Sequence, residues 1–267
     1  MLIRGEMTSE TNQLQLRLAR DPADLAAAQR LRFNVFVKEL GAKCKGAACA
    51  ERLEQDEFDA ICDHLVLVDP ARDAGALDHV VGVYRLLPGE RAAEFGRFYC
   101  DGEYDLALLR ATGRRLVEVG RSCVHADYRG SAALYLLWNG LAEYVLTNGI
   151  EVMFGVASFH GTDAEALAEP LSWLHHYHLA PPALRARALP AHFQHMDLMP
   201  AESLNRGRAM AQMPSLIKAY LRAGGFVGEG AFIDFDFNTT DVLLMMDTAA
   251  MNQRHHSFYT RRREALA

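Results

Sequence analysis

Residues 116–132 read Leu116-Val-Glu-Val-Gly-Arg-Ser-Cys-Val-His-Ala-Asp-Tyr-Arg-Gly-Ser-Ala132 and contain a change from a strand pattern to a helix pattern. The apolar, β-branched run 116–124 predicts a buried strand. Asp127-Tyr-Arg-Gly130 interrupts it, and Ser131 is a suitable N-cap for a long apolar helix that ends at 148–149. A strand, a glycine-containing turn and a helix in this order present unpaired backbone N–H groups to phosphate or pyrophosphate. A plain strand–helix connection is the alternative.

Strand and helix patterns alternate on both sides of this junction. Helices are predicted from Asp21-Pro22 to residue 36, around 106–112 and over 214–222, and strands at 14–18, 64–68, 80–87, 152–159, 231–237 and 241–246. The order is that of one mixed α/β domain over residues 14–248. A helical insertion is expected at 160–213, a flexible tail at 1–13 and a basic tail at 249–267.

Composition narrows the class of protein. The chain has 267 residues, 50% of them hydrophobic, and a formal net charge of −6. This balance is typical of a globular protein and makes a nucleic-acid partner unexpected. The longest charge-free apolar stretch, 130–142, is too short to span a bilayer. The cysteines are odd in number and not closely paired, which favours reduced thiols and a cytoplasmic protein (Cys44, Cys49, Cys62, Cys100 and Cys123).

The stretch 119–130 resembles the central strand–loop–helix motif of the GNAT N-acyltransferase superfamily. The resemblance implies an α/β (α+β) fold with a central mixed, mainly antiparallel twisted sheet flanked by helices. It also implies loop amides that hold the pyrophosphate or phosphopantetheine of an acyl carrier, here at Val124, Arg129, Gly130, Ser131 and Ala132. Ser131 and Ala132 occupy positions that are usually glycine-rich in that family. This difference weakens the assignment of coenzyme A as the bound group more than that of phosphopantetheine.

Two narrower resemblances follow. Acyl-homoserine-lactone synthases, which take their acyl group from acyl carrier protein, have a similar pattern (Arg32-x3-Phe36, Glu54-x-Asp56-x2-Asp59, Arg85 and Glu118-x2-Arg121). Residues 120–124, 214–230 and 237–243 resemble bacterial L-ornithine Nα-acyltransferases, and the similarity extends over about 14–247. Members of that family make lyso-ornithine lipid from 3-hydroxyacyl carrier protein. The resemblance therefore implies no cofactor beyond the phosphopantetheine that arrives on the carrier.

Acylation of an amine requires a proton acceptor and a donor to the tetrahedral oxyanion. Glu118 is the predicted base or amine holder, and Arg121 the second catalytic residue. Three residues apart, they would face opposite sides of an ideal strand. A β-bulge at Gly120 would bring both to one cleft and expose a backbone N–H for the oxyanion. A structural ion pair between Glu118 and Arg121 is the alternative.

Ornithine carries a carboxylate and a distal ammonium. Arg85 or Arg121 suits the carboxylate, and the acidic group Glu54, Asp56 and Asp59 suits the ammonium. A merely solvated acidic cluster is the alternative for this group. Arg32 shares a helix face with Phe36 and can pair with one of these acids, which would make Arg32 and Asp59 architectural.

Other motifs favour structural roles. His64-x4-Asp69 matches a glycerolipid O-acyltransferase pattern but lies in an alternating strand, and Cys123 is expected to be a buried packing residue rather than a nucleophile. No metal site is predicted at Cys44-x4-Cys49, at 175–178 or at 192–195.

The leading hypothesis is an enzyme that moves a 3-hydroxyacyl group from acyl carrier protein to the α-amine of L-ornithine. The alternatives are an acyl-homoserine-lactone-type synthase that uses another amine donor and a non-catalytic carrier-protein-binding module. Contact with the inner membrane face is expected to be peripheral at most. Docking of an acidic carrier requires concentrated positive charge, which is expected at four arginines near the loop (Arg110, Arg114, Arg115 and Arg129).

Overall fold

One large sheet organises the computed structural model, which describes residues 14–44, 46–130 and 132–248. The strands are β1 (Gln15–Leu18), β2 (Asp63–Val68), β3 (Val80–Pro88), β4 (Tyr104–Asp105), β5 (Leu116–Val124), β6 (Val152–His160), β7 (Arg187–Ala188), β8 (Phe193–Gln194), β9 (Phe226–Val227), β10 (Ala231–Asp234) and β11 (Thr239–Asp247). The large sheet has the order β1-β2-β3-β5-β6-β11-β10-β8, with β9 paired to β11. Strands β4 and β7 form a separate pair.

The sheet is mixed and mainly antiparallel, as the resemblance implied. Every neighbouring pair in it is antiparallel except β5 and β6. That parallel pairing joins Leu116–Glu118 to Val152–Phe154 and then stops. The remaining residues of both strands are therefore free to diverge in the middle of the sheet, which creates an opening there.

The helices are α1 (Pro22–Arg32), α2 (Gly46–Ala50), α3 (Gly89–Phe95), α4 (Ala107–Ala111), α5 (Ala133–Thr147), α6 (Ala168–His178), α7 (Arg206–Gln212) and α8 (Ser215–Arg222). Asp21 caps α1 by accepting the backbone N–H of Asp24, and a π-helical segment, 33–39, continues it. The predicted cap of α5, Ser131, lies outside the described residues, and Ala132 directly precedes the helix.

Side chains of the two sheet faces form separate cores. Apolar residues of α5 and α8, such as Leu137 and Ile217, pack with Val119 on one face. Ala27 and Leu31 of α1 pack with Val83 on the other. The apolar alternation in the sequence correctly located most of these elements, because one face of each strand must be buried against a helix.

Two predictions need correction. The insertion at 160–213 contains α6 and α7, but it is not wholly helical, because β8 pairs with the edge of β10 and β7 pairs with β4. Cys44 and Cys49 form a disulfide, since α2 brings their Cα atoms to 5.6 Å, so the expectation of reduced thiols is wrong for this pair. The predicted tails at 1–13 and 249–267 lie outside the described residues. None of the described helices is long and apolar enough to cross a membrane.

Candidate active site

The opening between β5 and β6 contains a cavity of about 240 Å³. Gly155 lies where the two strands part, and a Cβ atom there would overlap the carbonyl oxygen of Val119. Glycine therefore permits the last close approach of the two backbones before they diverge. Because side chains alternate along a strand, the lining residues Glu118 and Val119 point to opposite faces. The cavity thus reaches both faces of the sheet.

A β-bulge in β5 reshapes this opening. Val83 pairs with Cys123 and Arg85 with Gly120, so Tyr84 lies opposite both Arg121 and Ser122. A bulge is therefore present in β5, as predicted, but it lies at Arg121–Ser122 rather than at Gly120, and Arg121 is in the left-handed region with φ of 52°. Glu118 and Arg121 consequently line the same cavity despite their three-residue spacing.

Glu118 is held at the wall of this cavity by backbone donors. Its carboxylate accepts the N–H of Tyr99 at 2.8 Å and the N–H of Cys100 at 2.7 Å. Burial raises the pKa of Glu118 above its ordinary value, although these hydrogen bonds oppose the shift. A raised carboxyl pKa suits proton transfer near neutral pH. The alternative ion pair with Arg121 is not formed, and the role of Glu118 as a base stays a prediction.

The motif arginines and acids assemble into a closed ring of alternating charges beside the cavity. Each of the three acids contacts two arginines, and each arginine contacts two acids. The pairs are Arg32–Glu54, Arg32–Asp59 (2.7 Å), Arg85–Asp56 (2.5 Å), Arg85–Asp59 (2.9 Å), Arg121–Glu54 (3.1 Å) and Arg121–Asp56 (3.0 Å). Arginine partners hold the pKa values of all three carboxyls below their usual range despite burial.

The ring fixes the position of Arg121. Its guanidinium lies 4.6 Å from the ring centroid of Tyr99 and 4.8 Å from that of Phe237. Arg32 has no exposed surface, which agrees with the architectural alternative for it. Because the three acids already have arginine partners, an ammonium group would have to compete for them. Roles in substrate binding for the residues of this ring remain predictions.

A second acidic group in the same cavity was missed by the sequence reasoning. Carboxylate oxygens of Glu103, Asp234 and Asp241 lie within 4.8 Å of one another. Asp241 offered one signal, since it is a charged residue at the start of the apolar run of β11. Glu103 and Asp234 follow no periodic pattern, and their proximity depends entirely on the tertiary fold.

The predicted carrier-binding loop follows β5. Arg129 donates to the carbonyl of Val124 at 3.0 Å and pairs with Glu39 at 2.6 Å. Gly130 adopts φ of 76°, a conformation that glycine adopts without strain, and Ala132 directly precedes α5. Ser131 lies outside the described residues. The loop therefore has the predicted strand–turn–helix form, while its ligand stays a prediction.

Arginines expected to attract an acidic carrier are each paired with a carboxylate. The pairs are Arg110–Asp101, Arg114–Asp247 (2.6 Å), Arg115–Glu90 (3.8 Å) and Arg129–Glu39 (2.6 Å). Local neutralisation reduces the positive field that these residues can present. Carrier docking at this surface thus stays a prediction.

The competing motifs have structural surroundings. His64 lies near the start of β2 and bonds the carbonyl of Asp59, whereas Asp69 follows the strand's other end and accepts the hydroxyl of Tyr128. They do not form a catalytic pair. Cys123 is buried in the core beside α1, as expected, and burial raises its pKa to about 12. Its thiol is therefore protonated at neutral pH.

Comparisons with known proteins agree with this arrangement. Residues 31–139 match the family model of the acetyltransferase (GNAT) domain. A solved structure of a CoA-dependent acyl-homoserine lactone synthase, BjaI, has a TM-score of 0.51 over 93% of this chain and 89% of that chain, at 16% identity. The mixed sheet, its divergent central strands and the family match define an acyltransferase of the GNAT fold.

Relatives of higher identity specify the family. The chain is 61% identical to the L-ornithine N(alpha)-acyltransferase of Rhodobacter capsulatus, over 94% of this chain and 96% of that protein. It is 43% identical to the L-ornithine N(alpha)-acyltransferase of Brucella abortus, over 92% of this chain and 88% of that protein. The chain belongs to the L-ornithine N(alpha)-acyltransferase family. This membership confirms the predictions of the GNAT fold, of acyltransferase activity and of the family itself.

Proposed function

We propose that this protein transfers a 3-hydroxyacyl group from acyl carrier protein to the α-amine of L-ornithine, giving lyso-ornithine lipid. The observation that carries the proposal is the 61% identity to a relative of that name over 94% of the chain. The geometry supports the proposal, because the buried carboxylate of Glu118 and the guanidinium of Arg121 both line the cavity at the β5–β6 opening.

The acceptor must lose a proton before it can attack, because an α-ammonium has a pKa near 8. Glu118 is the proposed acceptor of that proton, directly or through one water. The hydrogen bonds from Tyr99 and Cys100 hold its carboxylate in one orientation. The raised pKa makes it a stronger base than an ordinary glutamate, and this favours proton removal near neutral pH.

The neutral amine then attacks the thioester carbonyl in the proposed reaction. A C–N bond forms, the C–S bond breaks, and the departing phosphopantetheine thiolate takes up a proton. The tetrahedral oxyanion needs a donor, and the bulge at Arg121–Ser122 is the proposed source, because a bulged residue leaves the regular ladder of hydrogen bonds. The three described cysteines outside the disulfide, Cys62, Cys100 and Cys123, are not required, since the proposed attack is direct.

In this proposal the two substrates approach the cavity from different faces of the sheet, because residues of both faces line it. Acidic residues and Arg121 line the part that is proposed for the amino acid. Apolar residues line the part toward α8, including Val119 and Tyr220, and this is the proposed path of the acyl chain. The carrier's phosphopantetheine would reach the opening past the loop after β5. A substrate delivered by a soluble carrier requires no membrane span, so membrane contact in this proposal is peripheral at most and the location cytoplasmic.

A direct test combines donors and acceptors. We would incubate the purified protein with 3-hydroxyacyl carrier protein or 3-hydroxyacyl-CoA, each with a panel of amino acids and with S-adenosylmethionine, and identify products by mass spectrometry. The proposal predicts Nα-(3-hydroxyacyl)ornithine, formed faster from the carrier protein. Products from S-adenosylmethionine would favour a lactone-type synthase, and carrier binding without any product would favour a non-catalytic module. Either result would contradict the proposal.

A further inference from the structure

The acidic group of Glu103, Asp234 and Asp241 differs from the ring of paired charges beside it. In the part of the chain that the structure describes, no arginine, lysine or histidine nitrogen lies within 4.0 Å of these three carboxylates. The ring is balanced by three arginines, whereas no basic side chain of the described residues balances this group. We refer to Glu103, Asp234 and Asp241 as the unpaired triad.

Two members of the unpaired triad have buried oxygen atoms with no protein partner. Glu103 is 6% exposed and Asp241 is 3% exposed. Oε2 of Glu103 and Oδ1 of Asp241 are buried and accept no hydrogen bond from the described residues. Leaving buried carboxylate oxygens without donors is costly. A ligand that supplies donors and positive charge would remove this cost.

The location of the unpaired triad indicates what such a ligand is. Glu103, Asp234 and Asp241 line the cavity that also contains Glu118. Glu103 and Asp234 also line a second, more open cavity of about 470 Å³ that leads to the surface beside His192. A polar molecule that enters from solvent through the second cavity therefore contacts the unpaired triad on its way to Glu118.

We propose that the unpaired triad binds the distal ammonium group of a diaminocarboxylate acceptor. This inference rests on the proposed function and assigns the specificity of that site. An ammonium has three N–H donors, which match three convergent carboxylates, and it brings the charge that the group lacks. The ring of Glu54, Asp56 and Asp59, which the sequence suggested for this ammonium, is already matched by arginines.

The unpaired triad also accounts for the choice between the two amines of the acceptor. Neighbouring carboxylates favour the charged form of an amine, so they raise its pKa. The distal nitrogen held there keeps its proton and has no lone pair for attack. The α-nitrogen lies away from the triad, gives its proton to Glu118 and becomes the nucleophile. Selectivity for the α-position then follows from where the second charge is held.

The raised pKa values of two triad carboxyl groups agree with the binding of a cationic substrate at the unpaired triad. Desolvation raises the pKa of Asp241 to about 6, and nearby Asp234 adds to the shift. Desolvation likewise raises the pKa of Glu103 well above its usual value, with Asp241 and Asp234 contributing. The protein therefore bears an electrostatic cost at this place, and a cationic substrate offsets it on binding.

The test compares L-ornithine with L-norvaline, which has the same carbon skeleton and lacks the distal amine. We would measure kcat/KM for both acceptors, with 3-hydroxyacyl carrier protein as donor, in the wild type, Glu103→Gln, Asp241→Asn and the double variant. Glu165→Gln, an exposed acid of the insertion, is the matched control. Thermal melting checks folding, and neutral isosteres of unpaired buried acids are expected to melt no lower than the wild type.

We expect the ornithine-to-norvaline ratio of kcat/KM to fall about 10- to 100-fold in the double variant, mainly through ornithine. Tandem mass spectrometry should show a larger fraction of Nδ-acylated product. Glu165→Gln should keep the wild-type ratio. Equal losses for both acceptors, or an unchanged ratio, would overturn the inference while the proposed function stands.

A wild type that acylates no ornithine would overturn both the inference and the proposed function. Titration with CaCl₂ provides a further arm, because three carboxylates also suit a divalent cation. We expect no saturable Ca²⁺ binding that depends on Asp241. Saturable binding that Asp241→Asn abolishes would assign the unpaired triad to a metal and overturn the inference.

Discussion

The ring of alternating charges makes a strong prediction for Arg32→Met. Arg32 is completely buried and contacts Glu54 and Asp59. Methionine fills much of the same space but leaves the ring with one excess negative charge. Removing one partner of a buried ion pair typically costs 3–5 kcal/mol. Because both acids keep a second arginine, we expect a loss near the lower end, about 3 kcal/mol in the free energy of unfolding.

The loss should depend on pH in a defined direction. The wild-type ring holds the pKa values of Glu54 and Asp59 below their unfolded values. Its contribution is therefore fully present above the unfolded carboxyl pKa, near 4, and is lost as the pH falls through the folded values. The stability difference between the wild type and Arg32→Met should accordingly change little between pH 7 and about pH 5 and narrow as the pH falls below about 4.

Urea unfolding followed by circular dichroism measures this difference at each pH, and calorimetry should show Tm lower by about 6–12 °C at pH 7. Arg30→Met is the control, because Arg30 lies in the same helix and, among the described residues, its side chain donates only to the carbonyls of Glu51 and Arg52. Its expected cost is about 1 kcal/mol or less. A pH 7 cost for Arg32→Met as small as that of the control would refute the structural role of the ring.

Three further predictions concern the opening and its carboxylate. Gly155→Ala should lower the unfolding free energy by about 2 kcal/mol or more in urea, because the new Cβ overlaps backbone, whereas Gly102→Ala, which meets open space, should change it little. The pH profile of kcat at saturating L-ornithine should have an acid limb above the ordinary glutamate range, because the proposed base Glu118 must be ionised and burial raises its pKa; a limb that persists in Glu118→Gln would contradict this. Cys123→Ala should lose about 1–2 kcal/mol of stability yet keep its turnover of acyl donor, and loss of turnover in a folded variant would reinstate a covalent mechanism.

Local sequence patterns predicted the features that depend on neighbouring residues. Alternation located β5, and the three-residue spacing of Glu118 and Arg121 predicted a bulge between them. The same spacing did not reveal that Arg121, rather than Gly120, takes the left-handed conformation. Its ion pairs with Glu54 and Asp56 and its contacts with two aromatic rings hold it there, and these come from distant parts of the chain.

Features built by several distant segments were harder to predict. Residues 103, 234 and 241 come from a turn and two strands, and only the sheet order brings them together. Likewise, β8 pairs with the edge of β10, and this was not predicted because a strand of two residues is too short to show an alternating pattern. The Cys44–Cys49 disulfide depends on a helix of a single turn, whose geometry a spacing rule does not contain.

In the proposed reaction, the α-amine of ornithine is acylated at the β5–β6 opening with Glu118 as the base. Steady-state kinetics of Glu118→Gln with 3-hydroxyacyl carrier protein and L-ornithine test this role of Glu118, with the product identified by mass spectrometry. We predict that kcat falls about 10²- to 10⁴-fold, that KM for ornithine changes little, and that thermal melting is retained. A folded Glu118→Gln variant that forms Nα-acylornithine at the wild-type rate would contradict the claim.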